Sequence, residues 1–223
     1  MVTVADWRQL LESMSRVGRL VHLAARYDAV DEQQIAARLM GIRKVAYEDE
    51  LSIQAARAGC SGRRGRLSNP AILAELQTIS NRDAASIVNT YNRDLAGAIS
   101  AIRVQTPTAN RNTYAKRLRE WHDKRAQWKN PQVVQYAVNQ ARSKAQSDFF
   151  QKNHKAGEGE FGRIVPRVAV CPVCRGWIKR GRIPMRVIMN NPPPYHQNCP
   201  HVVETSPAQR TYEECQLLWL GSE

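Results

Sequence analysis

The sequence predicts a mainly α chain: a helical body over residues 1–156, then a small β-rich knuckle over residues 157–223 that closes on a short helix. Three observations carry this. Apolar residues recur at helical spacing through the first two thirds of the chain. After "KAGEGEFG" (Lys155 to Gly162) the segments become short and β-branched. Cysteines, histidines and prolines then crowd between Cys171 and His201.

The elements follow in order. From Asp6 to Arg26, Leu10, Met14, Val17, Val21 and Ala24 step by 4, 3, 4 and 3, a helix seam with Thr3 and Asp6 as a capping box. From Asp31 the rhythm returns through Ile35, Leu39, Ile42 and Ala46, with Asp31 and Gln34 at the entry. The two segments predict a helical hairpin. "AGCSGRRGRLSNP" (Ala58 to Pro70) has no apolar rhythm and reads as a loop, either a solvated linker or a phosphate-contacting loop using Arg63, Arg64 and Arg66.

Asn69 and Pro70 supply a cap and a first-position proline for the next helical stretch. It runs from Ile72 through Tyr91 to Ile102, as two helices or as one long helix broken near Asn81. Tyr114, Leu118, Trp121 and Trp128 mark another helix, whose opposite face bears Lys116, Arg117, Arg119, Lys124 and Arg125. Interleaved basic and aromatic residues suit nucleic acid, but aromatics at helical spacing more commonly fill a core, the role expected of Trp121 and Trp128. Asn130 and Pro131 repeat the cap-then-proline signal ahead of a helix reaching Phe149 and Phe150. Beyond Gly157, "RIVPRVAV", "GWIKRGRI" and "HVVET" are candidate strands, and Tyr212 to Leu220 a last short helix.

Charge narrows the surroundings. The chain carries 33 Lys+Arg against 20 Asp+Glu, a net +13 with a pI near 10.0. Such a surface attracts polyanions, because cations meeting phosphates release condensed counterions. An acidic protein partner is the alternative. No run approaches the roughly 18 apolar residues of a membrane helix, and the first residues lack the basic and apolar segments of a secretory signal, so synthesis in the cytoplasm is expected. Five cysteines, Cys60, Cys171, Cys174, Cys199 and Cys215, are an odd number that disfavours a disulfide framework in such a chain.

Three of those cysteines form a chelating pattern. Cys171 and Cys174 are a CxxC pair, able to reach one ion from a tight turn, and His196 and Cys199 repeat the spacing after 21 intervening residues. Three thiolates and one imidazole satisfy tetrahedral zinc, and a bound ion supplies folding energy to a segment with few large apolar side chains. His201 lies two residues past Cys199, on the same face of a strand, so either His196 or His201 can be the fourth ligand. Between Phe161 and Val203 there are seven basic residues and no acid, which favours thiolates and leaves Arg175, Lys179, Arg180 and Arg182 as candidate nucleic-acid contacts. Four ligands close the site, and the first carboxylate is Glu204, so a structural zinc is expected rather than a catalytic one. A zinc deaminase would show H-x-E before P-C-x-x-C, which is lacking. "YHQNCPH" mimics an HNH nuclease but without that family's usual second CxxC pair.

A helical region ending in "ARSKAQSDFFQ", then "VCPVCRG" and "PPPYHQNCPH", resembles the Mu F-like phage head morphogenesis family of minor capsid proteins. The likeness spans about residues 140 to 203 and rests on Cys171, Cys174 and Gly176, then on Pro193, Pro194, His196, Asn198 and Cys199. Pro200 stands where the family often has arginine and His201 where it often has the final cysteine, which favours His201 as a ligand. The resemblance implies a virion component inside the capsid near the portal, in several copies, acting in head assembly, DNA packaging or DNA delivery. Its partners would be the portal protein, the major capsid protein and packaged double-stranded DNA, with no membrane in the assembled head. The competing expectations are an enzyme, either a head maturation protease or a nuclease, and a free-standing zinc-dependent DNA-binding module. His122 and His154 are the only other central histidines and sit among charged residues in no catalytic arrangement.

Overall fold

A computed structural model describes residues 32–153, 160–165, 171–194 and 201–222. Over these residues the protein is 70% helical and 7% strand, a mainly α fold with a small sheet and a short last helix. The helix expected from Asp6 to Arg26, and hence the hairpin it would form, lies outside the described residues.

Helix α1 (Glu32–Arg57) is the centre of the molecule. Ile35, Leu39, Ile42 and Ala46 are buried at the spacing the sequence shows, and Leu51 and Ala55 extend the seam. Unlike a surface helix, α1 also buries Arg43, Tyr47, Glu50 and Gln54, because the two other long helices lie along it and Thr205 of the sheet meets its C-terminal end. Burial of a polar group is tolerated when its hydrogen bonds are made inside. Gln54 donates to Glu50 at 2.6 Å and accepts from the Thr205 hydroxyl at 2.6 Å, while Gln146 donates to Glu50 at 2.8 Å and to the Val203 carbonyl at 2.9 Å.

Helix α2 (Pro70–Gln105) starts where the sequence places its cap: Asn69 Oδ1 accepts from Ala71 N at 3.1 Å and Ile72 N at 3.2 Å. It is one helix with no break at Asn81, whose side chain accepts from Gln77 one turn earlier. Helix α3 (Arg111–Asn153) is likewise continuous over 43 residues, so the expectation of a new helix at Asn130–Pro131 is corrected. A proline removes one i→i−4 bond, a local cost. The buried face from Val134 to Phe150, packed along α1, holds the second half in line with the first.

The sheet is antiparallel with order β2-β1-β3: β1 (Phe161–Val165) pairs with β2 (Ile183–Pro184) and along its whole length with β3 (Val202–Ser206). Gly162 is required there, since a Cβ would stand 2.7 Å from Ile188 and from Val203. Ile164, Ile183, Met185, Ile188 and Val203 belong to the same apolar cluster as Leu39, Leu51 and Phe149, so the core continues past residue 157 without interruption.

Two sequence expectations fail in the second half. "GWIKRGRI" is not one strand: its first half, Gly176 to Lys179, ends helix α4 (Pro172–Lys179), and only Ile183 enters β2, which leads into the short helix α5 (Met185–Asn190). Pro172 occupies the first helical position, and Cys174, Trp177 and Ile178 share one face, both helical signals that the apparent alternation masks. The odd cysteine count also misleads. Cys60, after α1, forms a disulfide with Cys215 in the last helix α6 (Tyr212–Gln216), with Cα atoms 5.3 Å apart across 155 residues of chain.

The pairing belongs to a larger clasp. Ser68 N and Asn69 N donate to the Gly221 carbonyl and Arg66 N to that of Leu220. Asn153 exchanges two hydrogen bonds with the Trp219 backbone, at 3.0 and 2.8 Å. The C-terminal segment is thereby fixed onto the α1–α2 loop.

Candidate metal centre

Cys171 and Cys174 bracket the first turn of α4, Cys171 as its N-cap and Cys174 inside it. Cys174 is fully buried and Cys171 half-buried; neither forms a disulfide. The helix start turns its free N–H groups toward the first sulfur. The backbone N–H of Cys174 above all, then that of Val173, the Cys174 thiol and the charge of Arg175, hold the Cys171 thiol below its ordinary value despite partial desolvation. Two adjacent thiols, one already biased toward thiolate, fit half of a tetrahedral zinc site.

His196 and Cys199 lie outside the described residues. His201 is placed: it is 2% exposed at the entry to β3. Among the described residues no three His, Cys, Asp or Glu side chains gather closely enough to hold an ion, so Cys171, Cys174 and His201 do not form such a group. The three prolines shortly before His196 and Cys199 face the helical body. Pro192, Pro193 and Pro194, with a cis bond between the last two, line a cleft of about 400 Å³ opposite Glu75 on α2 and Lys144 and Asp148 on α3. The triproline thus forms one wall of this cleft just before the chain reaches Tyr195.

The candidate nucleic-acid residues separate into two groups. Arg175 and Lys179 are exposed on α4, and Arg180 and Arg182 follow it, stacked over Trp177 at 4.3 Å and Phe161 at 4.2 Å. Stacking holds both guanidinium groups flat on the knuckle surface while they stay solvated. In the α1–α2 loop Arg64 and Arg66 are exposed, but Arg63 donates to Gln216 at 3.2 Å and to the Leu218 carbonyl at 3.5 Å. Arg63 therefore helps to hold the C-terminal clasp. That arrangement links segments far apart in sequence and leaves no local signal.

Two further residues lie elsewhere than their sequence context suggests. Arg125, expected on a solvated basic face, is buried against Asp94 at 2.8 Å and over the Tyr91 ring at 5.1 Å. His122, from the same charged stretch, is 8% exposed, with Nδ1 3.4 Å from the Tyr91 hydroxyl. Trp121 is half-buried and its ring lies 6.2 Å from that of Tyr91. No helix among the described residues is long and apolar enough to cross a membrane. Comparison with models of known protein families, with curated proteins and with solved structures finds no match to this chain.

Proposed function

We propose that this chain is a structural minor head protein of a tailed bacteriophage, without enzymatic activity. It sits inside the capsid beside the portal, in several copies, and acts in head assembly, DNA packaging or DNA delivery. The observation that carries the reading is the chelating turn of Cys171 and Cys174 at the head of α4, followed by the proline-rich segment into His196 and Cys199, the order in which the Mu F-like family carries these residues. Zinc would be held by Cys171, Cys174, Cys199 and His196; His201 is the competing fourth ligand, disfavoured because it does not gather with Cys171 and Cys174. The ion would supply cross-linking energy to a sheet of only three short strands. The +13 charge suits a place next to packed DNA.

Two measurements test this. Metal analysis of the purified chain is expected to find one zinc per molecule, lost in Cys171→Ser and Cys199→Ser; undiminished stability without metal would sink the zinc assignment. Co-expression with the portal and major capsid proteins is expected to give stoichiometric association with one of them. Cleavage of capsid protein, or nicking of DNA, by the isolated chain would show an enzyme instead. Duplex binding without any portal or capsid association would favour the free-standing DNA-binding module.

A further inference from the structure

Among the described residues the two longest helices extend past the others. Arg43 on α1 donates to Ser80 on α2 at 2.9 Å and to Gln140 on α3 at 3.0 Å, and Gln146 on α3 donates to Glu50 at 2.8 Å. The α1–α3 bonds set those two helices parallel, and the pairs Glu75–Lys144 and Asp94–Arg125 set α2 antiparallel to α3 and hence to α1. By helical rise α1 then begins about level with Tyr91 on α2 and Lys129 on α3. Beyond that line α2 continues to Gln105 and α3 starts at Arg111, an arm about 21 Å long along α2 and about 27 Å along α3 at roughly 1.5 Å per residue.

The arm is an ordered object. Its root is closed by Asp94 and Arg125 at 2.8 Å and by the packed rings of Tyr91, Trp121 and His122. Ala98 and Ile102 are buried in its seam, and the Tyr114 hydroxyl donates to the Ile99 carbonyl at 3.0 Å. At the tip the Thr106 hydroxyl donates to the Ile102 carbonyl at 2.7 Å, and Asn110 caps α3 by accepting from Thr113 N at 3.0 Å.

The surface of the tip has one character. From Gly97 to Arg119 there are five basic residues, Arg103, Arg111, Lys116, Arg117 and Arg119, and no Asp or Glu. Arg103, Lys116 and Arg119 are exposed, and so are Ser100, Gln105, Thr108, Asn112 and Thr113. Val104 is the one large apolar side chain standing out there among the described residues.

We propose that this arm tip is a docking surface for the phosphate backbone of duplex DNA. The inference rests on the DNA-proximal reading above and assigns the contact to a part of the chain distant in sequence from the zinc knuckle. Three physical reasons choose the occupant. Protein interfaces are anchored by buried aromatic, Met and other apolar groups, and a lone Val104 does not make such an anchor. A second copy would bring the cations of two tips together, with Glu120, exposed beside Arg119, as the one carboxylate next to them in sequence. Cations interspersed with short hydroxyl and amide side chains are the groups that contact phosphate oxygens, positioning a protein on DNA without reading its sequence.

The experiment compares two triple variants of equal charge change in the full zinc-loaded chain. One is Arg103→Gln, Lys116→Gln and Arg119→Gln on the arm; the other is Lys179→Gln, Arg180→Gln and Arg186→Gln on the knuckle. Binding to a duplex of random sequence is measured against salt, with far-UV circular dichroism and thermal melting confirming that each variant is folded. Loss of three phosphate contacts lowers the slope of log K against log salt by about 2.7, and the arm variant should show this with at least about tenfold weaker binding near physiological salt. The knuckle variant should show a smaller change.

An unchanged slope in a folded arm variant overturns the assignment and leaves the DNA-proximal reading intact. A larger loss in the knuckle variant does the same. If the wild-type chain ignores DNA but holds polyglutamate through the arm, the duplex assignment is overturned in favour of an acidic protein. If the wild-type chain binds neither, the DNA-proximal reading itself fails, whereas portal association is scored separately.

Discussion

The junction of the three long helices offers the sharpest perturbation. Arg43 is 1% exposed, and its guanidinium reaches Ser80, Gln140 and the carboxylate of Asp83, while its Nε has no hydrogen-bond partner. Burial pulls this guanidinium below its ordinary value, and Asp83 opposes that pull by favouring the charged form. Asp83 is less committed: its side chain is 18% exposed and lies 3.3 Å from Arg82 on the surface. The two halves of the pair are therefore unequal.

Asp83→Asn leaves a buried cation facing neutral groups and is expected to cost about 3–5 kcal/mol. Arg43→Met keeps an apolar stem of similar length and leaves an anion that water and Arg82 still reach, for about 2–3 kcal/mol. The double variant removes both charges, and its loss should fall short of the sum by about 2 kcal/mol or more. Urea unfolding of the purified full chain measures all three, with midpoints compared at constant slope. Additivity within about 0.5 kcal/mol would refute the reasoning, because independent sites add and a desolvated pair does not.

The remaining predictions concern the clasp and the alkaline limb. Cys215→Ser, or reduction of the wild-type chain, should lower stability by about 2–4 kcal/mol by freeing a very long loop in the unfolded state; an unchanged urea midpoint would show that the tail's other bonds suffice. At high pH, burial raises Tyr47 and the Asp148 hydrogen bond adds to this. Burial alone would lower Lys144, but its bonds and charges with Glu75 and Asp148 outweigh that and raise it. Both groups hold their protons more tightly folded than unfolded, so their stabilisation is complete below the unfolded values and fades as pH rises through the folded ones. Stability should fall from about pH 10 upward, by up to about 1.4 kcal/mol per pH unit for each such group, and Tyr47→Phe should flatten the curve by one group's share. An alkaline slope identical in Tyr47→Phe would contradict the assignment.

Much of the helical body was legible because its signals are local. Apolar spacing marks the buried face of α1, and Asn69 with Pro70 marks the start of α2. The same local signals overcounted helices, since Asn130 and Pro131 resemble a start yet lie inside α3, where burial from Val134 onward outweighs one missing hydrogen bond. The CxxC spacing of Cys171 and Cys174 is readable as a turn, but the stretch from Gly176 onward reads as strand where the structure continues the helix to Lys179. Eight residues of helix contain too few turns for periodicity to separate from alternation.

By itself the sequence determined the mainly α class, the basic charge, the cap at Asn69 and the close spacing of Cys171 and Cys174, all properties of residues close together in the chain. Tertiary structure alone decided what depends on distant segments meeting. It joined Cys60 to Cys215 across 155 residues, turned Arg63 inward to the C-terminal clasp, and buried Arg125 against Asp94. It also left the basic tip of α2 and α3 extending beyond α1. Charge and spacing state what a side chain can do, whereas burial and opposing partners, fixed only when the helices pack, state which of those possibilities remains open to solvent.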